Sequence, residues 1–438
     1  MIRRSSLRHG GGRAVLMGVL ASFCIGKSTL VAGTVSSFPE VKDLPVISGL
    51  PDPLRKGDDA PVSDPSQWPA RRDEMKAILE HYALGHAPAP PGNVRGRILN
   101  SQPVLDGKAF YKLVRLTFGP RRRLHLEAAL YLPLGKGPFP VFFWPSFSTT
   151  PGGHPGQSLA GPRPAHSPEE GAETTALALQ RGYAVLTFDY QQAAEDRPNN
   201  RSTGFFPAYP HHDWSTIAAW AWGVSRCIDF LETQPSIDKN RIAVIGHSRL
   251  GKTALVAGAF DERIALTAAC GSGCGGTSAY RFTGPSRGGK EGLEHLTSAF
   301  NWYIPRLGEF SDQVDKLPFD ENWLIDLVAP RSLLSEDGLD DPNVNVQGAV
   351  KSYLASQPVY VFLGAKNKLG VYFRPGGHAL GPDDWQIVLD FADESCEENR
   401  FHADLIMFPR LTGYREGVLF GKRNHFSCSC NNEEPSTS

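Results

Sequence analysis

Apolar positions along this chain fall into two alternating patterns. Short unbroken apolar runs bounded by glycine or proline suit strands buried on both faces of a parallel sheet. They occur at 141–144, 183–188, 242–245, 264–269, 331–334 and 359–363, with a longer strand at 124–132. Between them, apolar residues spaced three or four apart predict helices over 71–82, 169–180, 250–260 and 382–392. The clearest helix takes Asp213 as its N-cap and runs through Thr233. Ile217, Ala221, Val224, Ile228 and Leu231 share one face and Pro235 stops it. Strands alternating with helices imply right-handed crossovers, a mostly parallel sheet, and loops collected at its carboxyl edge.

One junction in this pattern carries chemistry. Ile242, Ala243, Val244 and Ile245 form a buried run that Gly246 ends, and the helical pattern from Leu250 follows at once. Ser248 therefore sits on a sharp strand-to-helix turn. In a nucleophile elbow such a turn exposes a serine oxygen while the helix amino-terminus offers donors to a developing oxyanion. The G-x-S-x-G pattern is displaced here, because Gly251 stands three places after the serine rather than two. The competing reading is an ordinary serine in a strand–loop–helix crossover.

The ends of the chain read differently. Arg3, Arg4, Arg8 and Arg13 precede the apolar run 14–26, and Ala32 and Gly33 follow, which is the layout of an export signal over residues 1–33. The run is short for a membrane span, so a secreted or periplasmic protein without stable membrane insertion is expected once the signal is removed. The Arg3–Arg4 pair points towards a twin-arginine route. Residues 34–66, rich in Pro, Asp, Gly and Ser, read as an extended linker or wrapping arm, and 67–394 as the catalytic domain. Residues 395–438 form a tail without a recognisable pattern. Cys24 leaves with the signal, and six cysteines remain, allowing disulfides of undetermined pairing. None has the CxxC spacing of a zinc site, and no metal is expected. A formal charge of -1 gives no electrostatic case for a nucleic-acid or anionic-membrane partner.

A nucleophilic serine needs a base, and the base needs an acid to fix its tautomer. His378, in the glycine-rich run Arg374-Pro-Gly-Gly-His378, lies past a late strand and just before the last helix. The segment 336–341 offers Glu336, Asp337, Asp340 and Asp341 as candidate acids, against the alternative of a solvated acidic turn. Gly284-Pro-Ser-Arg-Gly-Gly289-Lys290 has the glycine and lysine spacing of a phosphate loop, but Glu291 stands where a hydroxyl should hold magnesium, and it reads as a loop. His211 and His212 are adjacent and point different ways, which suits loop histidines better than metal ligands.

Taken together, Gly246-His-Ser-Arg-Leu-Gly-Lys252, Asp213-Trp-Ser-Thr-Ile-Ala-Ala-Trp-Ala-Trp222, Gly273-Cys-Gly-Gly276, Leu317-Pro-Phe-Asp320, Val328-Ala-Pro-Arg331 and Gly376-Gly-His378 resemble the bacterial glucuronoyl esterases, carbohydrate esterase family fifteen. The resemblance covers roughly residues 67–393. It implies an α/β-hydrolase fold, with a mostly parallel sheet between helical layers. The implied activity is cleavage of the ester between glucuronoyl or 4-O-methyl-glucuronoyl groups of xylan and lignin alcohols, by a cofactor-free enzyme expected to be a monomer. It implies Ser248 as nucleophile, His378 as base, Arg249 at the oxyanion site, and Lys252 and Glu291 as sugar contacts. Many members place the triad acid after the strand that follows the nucleophile helix, yet 268–276 contains no Asp or Glu. Others place it in a later loop, where Asp341 matches and Asn343 stands in place of a tryptophan. Asp341 is therefore the expected acid, ahead of Asp340. The alternatives are an acetyl xylan esterase, or another carbohydrate esterase with less use for Lys252 and Glu291, and a non-catalytic polysaccharide-binding relative.

Overall fold

Among the described residues ten strands build one sheet: β1 Arg95–Val104, β2 Ala109–Phe118, β3 Leu124–Pro133, β4 Phe139–Phe143, β5 Ala184–Phe188, β6 Ile237–His247, β7 Leu266–Cys270, β8 Ser332–Gly338, β9 Leu369–Arg374 and β10 Ile406–Met407. The structure is a computed structural model that describes residues 38–146, 168–282, 292–299, 301–396 and 406–407. The strand order is β1-β2-β3-β5-β4-β6-β7-β8-β9-β10. The first three strands form an antiparallel meander and β3 pairs antiparallel with β5. From β5 onward every pairing is parallel. The carboxyl ends of β4 to β9 therefore share one edge of the sheet.

The described residues form eight α-helices: α1 Trp68–Leu79, α2 Pro168–Gln180, α3 Thr216–Leu231, α4 Arg249–Phe260, α5 Pro305–Gly308, α6 Asn322–Val328, α7 Val346–Phe362 and α8 Pro382–Cys396. Side chains alternate across a strand, so each core strand feeds both faces. Phe142, Val185, Ile245, Ala268 and Leu334 pack with Ala178 of α2 and Trp385 and Leu389 of α8. On the opposite face α4 lies so close to β7 that an added Cβ at Gly258 would be 2.1 Å from Thr267 Oγ1, and α3 so close to β5 that one at Gly223 would be 3.2 Å from the Phe188 ring. The result is a layer of helices on each side of the sheet, as the alternating patterns predict.

Several boundaries differ from those read in the sequence. The N-cap of α3 is Ser215, whose side chain accepts from the amide of Ala218, and Asp213 instead accepts from the backbone and ring of His86. The run 359–363 is not a strand: it ends α7, and the strand before His378 is β9. The apolar run 359–363 looks like a strand in isolation, yet Val359 and Tyr360 are the buried turn of a helix whose other contacts begin with Gly348 and Ala349. Strand β8 continues past 334 to Gly338, so Glu336 and Asp337 belong to the strand rather than to the loop.

From Pro39 onward the described residues form one compact unit. Within residues 39–66, Val41 and Val62 are buried, Ile47 N–H bonds Asp315 O at 2.8 Å, and the Pro53 carbonyl accepts Arg71 Nε at 2.9 Å. Cys227, Cys270 and Cys274 are buried free thiols. Cys428, Cys430 and the run 284–290 lie outside the described residues.

Candidate active site

Ser248 stands between the end of β6 and the start of α4 with φ 58° and ψ −127°, a left-handed conformation that is strained for any residue with a Cβ. Two glycines make room for it. A Cβ on Gly246 would lie 1.9 Å from the carbonyl oxygen of Leu250, and one on Gly251 would lie 2.7 Å from that of Cys270. The displaced motif glycine thus serves the approach of α4 to β7. Ser248 N–H bonds Cys270 O at 2.9 Å, and Ser248 O accepts from the amides of Gly251 and Lys252, which starts the helix. The hydroxyl itself makes no capping bond. The helix dipole and the first amides of α4 point at the space before Ser248.

His378 follows β9, two strands beyond β7. Its Nδ1 lies 2.5 Å from Asp341 Oδ2, with the Asp341 side chain buried and the imidazole partly exposed. A carboxylate only accepts, so Nδ1 carries the proton and Nε2 is left as the basic nitrogen. Asp341 Oδ1 accepts the Asn343 amide at 2.8 Å, and the His378 carbonyl receives a 2.6 Å contact from His247 Nε2. Asp340 faces elsewhere and accepts the Gly376 amide at 3.0 Å. The loops after β8 and β9 touch so closely that a Cβ on Gly338 would come within 2.4 Å of Gly377 O. Gly271, which follows Cys270, closes the assembly: its added Cβ would be 3.0 Å from His247 Nε2 and 3.5 Å from His378 Cε1. Ser248 and His378 are therefore on adjoining segments, with no hydrogen bond between them.

Arg249 is held in a cluster that the sequence did not reveal. Its Nη1 pairs with Asp196 Oδ2, and its Cζ lies 5.1 Å from the centre of the Trp302 ring. Asp196 also accepts from Tyr190 OH and Trp302 Nε1, each at 2.8 Å. Burial and the adjacent Asp196 carboxylate push the Tyr190 phenol above its usual range, so it stays a donor. Asp196 lies in the polar loop after β5, at the carboxyl edge where site residues of parallel sheets gather, which was its one signal in the sequence. Lys252 is fully buried with Nζ 5.4 Å from the Trp302 ring centre. Glu291 lies outside the described residues.

Behind the histidine pair, burial pushes the Asp337 carboxyl up to about 7. Its neighbour Asp341 raises it further, while Ser335, His378 and Arg374 oppose the shift. Ser335 Oγ donates to Asp337 Oδ2 at 3.1 Å. Glu336, on the other face of β8, is pushed up to about 8 by burial and by Asp384, against its 2.7 Å pair with Arg374 Nε.

Comparison with known proteins agrees with this geometry. The profile of a family described as glucuronyl esterase, fungi, matches residues 154–364. Carbohydrate esterase MZ0003, from an unknown prokaryotic organism, is 31% identical over 389 residues, 78% of this chain and 89% of that protein. The chain belongs to carbohydrate esterase family 15, the glucuronoyl esterases. A 4-O-methyl-glucuronoyl methylesterase of Podospora anserina is 28% identical, covering 92% of this chain and 77% of its own. Among solved structures, the glucuronoyl esterase from Solibacter usitatus superposes with a TM-score of 0.72 at 27% identity, over 81% of this chain and all of that one. A promiscuous CE15 esterase from a marine bacterial metagenome gives a TM-score of 0.68 at 30% identity, over 81% and 98%. This glucuronoyl esterase family member is thus a carboxylic ester hydrolase with the α/β-hydrolase fold.

Proposed function

We propose that the enzyme hydrolyses esters between the carboxyl group of glucuronic or 4-O-methyl-glucuronic acid and an alcohol, in nature those joining glucuronoxylan to lignin. The observation that carries this reading is the gathering of a strained Ser248, a partnered Arg249 and the 2.5 Å His378–Asp341 pair at one sheet edge, in a member of this family. His378 Nε2 takes the Ser248 proton as Oγ attacks the uronoyl carbonyl. The oxyanion meets the amides at the head of α4 and the Arg249 guanidinium, the alcohol leaves with the proton from His378, and water repeats the sequence on the acyl-enzyme. Asp341 holds the imidazole tautomer throughout. Lys252 and Glu291 are proposed sugar contacts. A monomer is proposed, and the arginine-led apolar amino-terminus supports export as a secreted or periplasmic protein. No described helix is long and apolar enough to cross a membrane.

The test sets a benzyl ester of glucuronic acid beside an acetyl ester such as acetylated xylan. The glucuronate ester is expected to have the higher kcat/KM by at least about a hundredfold, because the acyl side would carry the binding energy used in the transition state. An equal or greater rate on the acetyl ester would assign the enzyme to acetyl removal instead.

A further inference from the structure

The charge of the molecule is unevenly placed. Over the whole chain 45 Lys and Arg face 46 Asp and Glu. Residues 95–123 contain Arg95, Arg97, Lys108, Lys112, Arg115 and the run Arg121–Arg123, with Asp106 as the one acid, so the rest of the chain carries 37 basic against 45 acidic residues. The topology places most of this charge at the catalytic edge. Strand β3 runs antiparallel to β5, with Ala128 opposite Phe188, so the amino end of β3 lies beside the carboxyl end of β5. The turn that joins β2 to β3, and Arg95 opposite Thr117, lie at that same end. From β6 to β3 is three strand spacings, and to β1 five, about 14 to 24 Å.

The arginines are available there. Arg95, Arg97 and Arg121–Arg123 are exposed. Arg115 pairs with Glu127 Oε1, with Nε at 3.0 Å, whereas none of the five exposed arginines has an ion pair with a described residue. An added Cβ on Gly96 would meet the Phe230 ring of α3, so its neighbours Arg95 and Arg97 project to the opposite side. Arg121 and Arg122 hold the turn with φ 54° and 53°, a conformation that glycine or asparagine adopts more readily.

We propose that this cationic edge is a docking surface for the free uronate carboxylates of the same acidic polysaccharide chain whose ester Ser248 cleaves, a statement that rests on the proposed function. Charge complementarity selects the occupant. A glucuronoxylan carries carboxylates along its length, the span from Ser248 to the arginines is that of a few linked pyranose rings, and guanidinium groups bind carboxylates with two parallel hydrogen bonds. Single exposed pairs are weak, so the surface works by number, and salt weakens it.

The test compares the wild type with a variant carrying Arg97→Gln, Arg121→Gly, Arg122→Asn and Arg123→Gln. Both are assayed on a benzyl glucuronate ester and on esterified glucuronoxylan, and their retardation is measured in gels containing glucuronoxylan or neutral arabinoxylan. The variant is expected to match the wild type on the small ester and to lose about tenfold in kcat/KM on the polymer at low ionic strength. Raising salt to about 0.5 M should erase that difference, and only glucuronoxylan should retard the wild type. Equal polymer kinetics, or equal retardation by arabinoxylan, would overturn the proposal. Variant-sensitive binding to phosphatidylserine vesicles without retardation by glucuronoxylan would overturn it in favour of a lipid partner. A wild type retarded by glucuronoxylan yet inert on the small ester would contradict the proposed activity and leave the docking surface standing.

Discussion

The division of labour between two adjacent carboxylates follows from where each points. Asp341 lies 2.5 Å from His378 Nδ1 and Asp340 accepts a backbone amide of the neighbouring loop. Asp341→Asn should lower kcat on a glucuronate ester by on the order of ten-thousandfold at neutral pH, because an amide can stabilise the wrong imidazole tautomer. Asp340→Asn keeps an oxygen acceptor for Gly376 N–H and should change kcat little. Steady-state kinetics of the two variants decide it, and the reverse ranking would move the acid by one residue. Ser248 was legible from the strand-to-helix junction after β6 and His378 from its glycine-rich loop, while Arg249 and the choice of Asp341 came from the family resemblance. Asp196 was not legible, since its meeting with Arg249 joins positions 53 residues apart and depends on the path of the loop after β5. The same holds for Trp302, which bonds Asp196 across 106 residues.

At the scale of elements, the parallel strands were read well where apolar runs are short and closed by glycine or proline, as at β5, while β6 extends beyond its apolar run at both ends. The exposed β1 strand gave no apolar run, and the Asp106-Gly107 turn that joins it to β2 was its only clear mark. The end of α7 misled for the opposite reason, because a β-branched apolar run inside a helix resembles a buried strand. Strand β8 has a thermodynamic consequence. It buries Asp337, whose carboxyl is pushed from 3.8 up to about 7. The folded chain then holds a proton that the unfolded chain has already released, so this group's contribution is complete below about pH 3.8 and is lost as pH rises through about 7. Asp337→Asn removes that titration. Its melting temperature should fall less than that of the wild type between about pH 5 and pH 8, as measured by thermal unfolding at both. Parallel pH profiles for the two proteins would show that Asp337 titrates normally in the fold.

In the whole molecule one sheet edge does two things: it holds a serine in a strained turn beside a histidine backed by a buried acid, and it presents arginines several strands away. The first is the central claim. Its most direct measurement is the turnover of a benzyl glucuronate ester by Ser248→Ala beside the wild type, with folding checked by coincident melting curves. A loss of about a millionfold in kcat is expected, because the nucleophile acts with His378 as a unit. A Ser248→Ala enzyme that keeps turnover within about tenfold of the wild type would contradict it, since no acyl-enzyme on that residue could then lie on the reaction path.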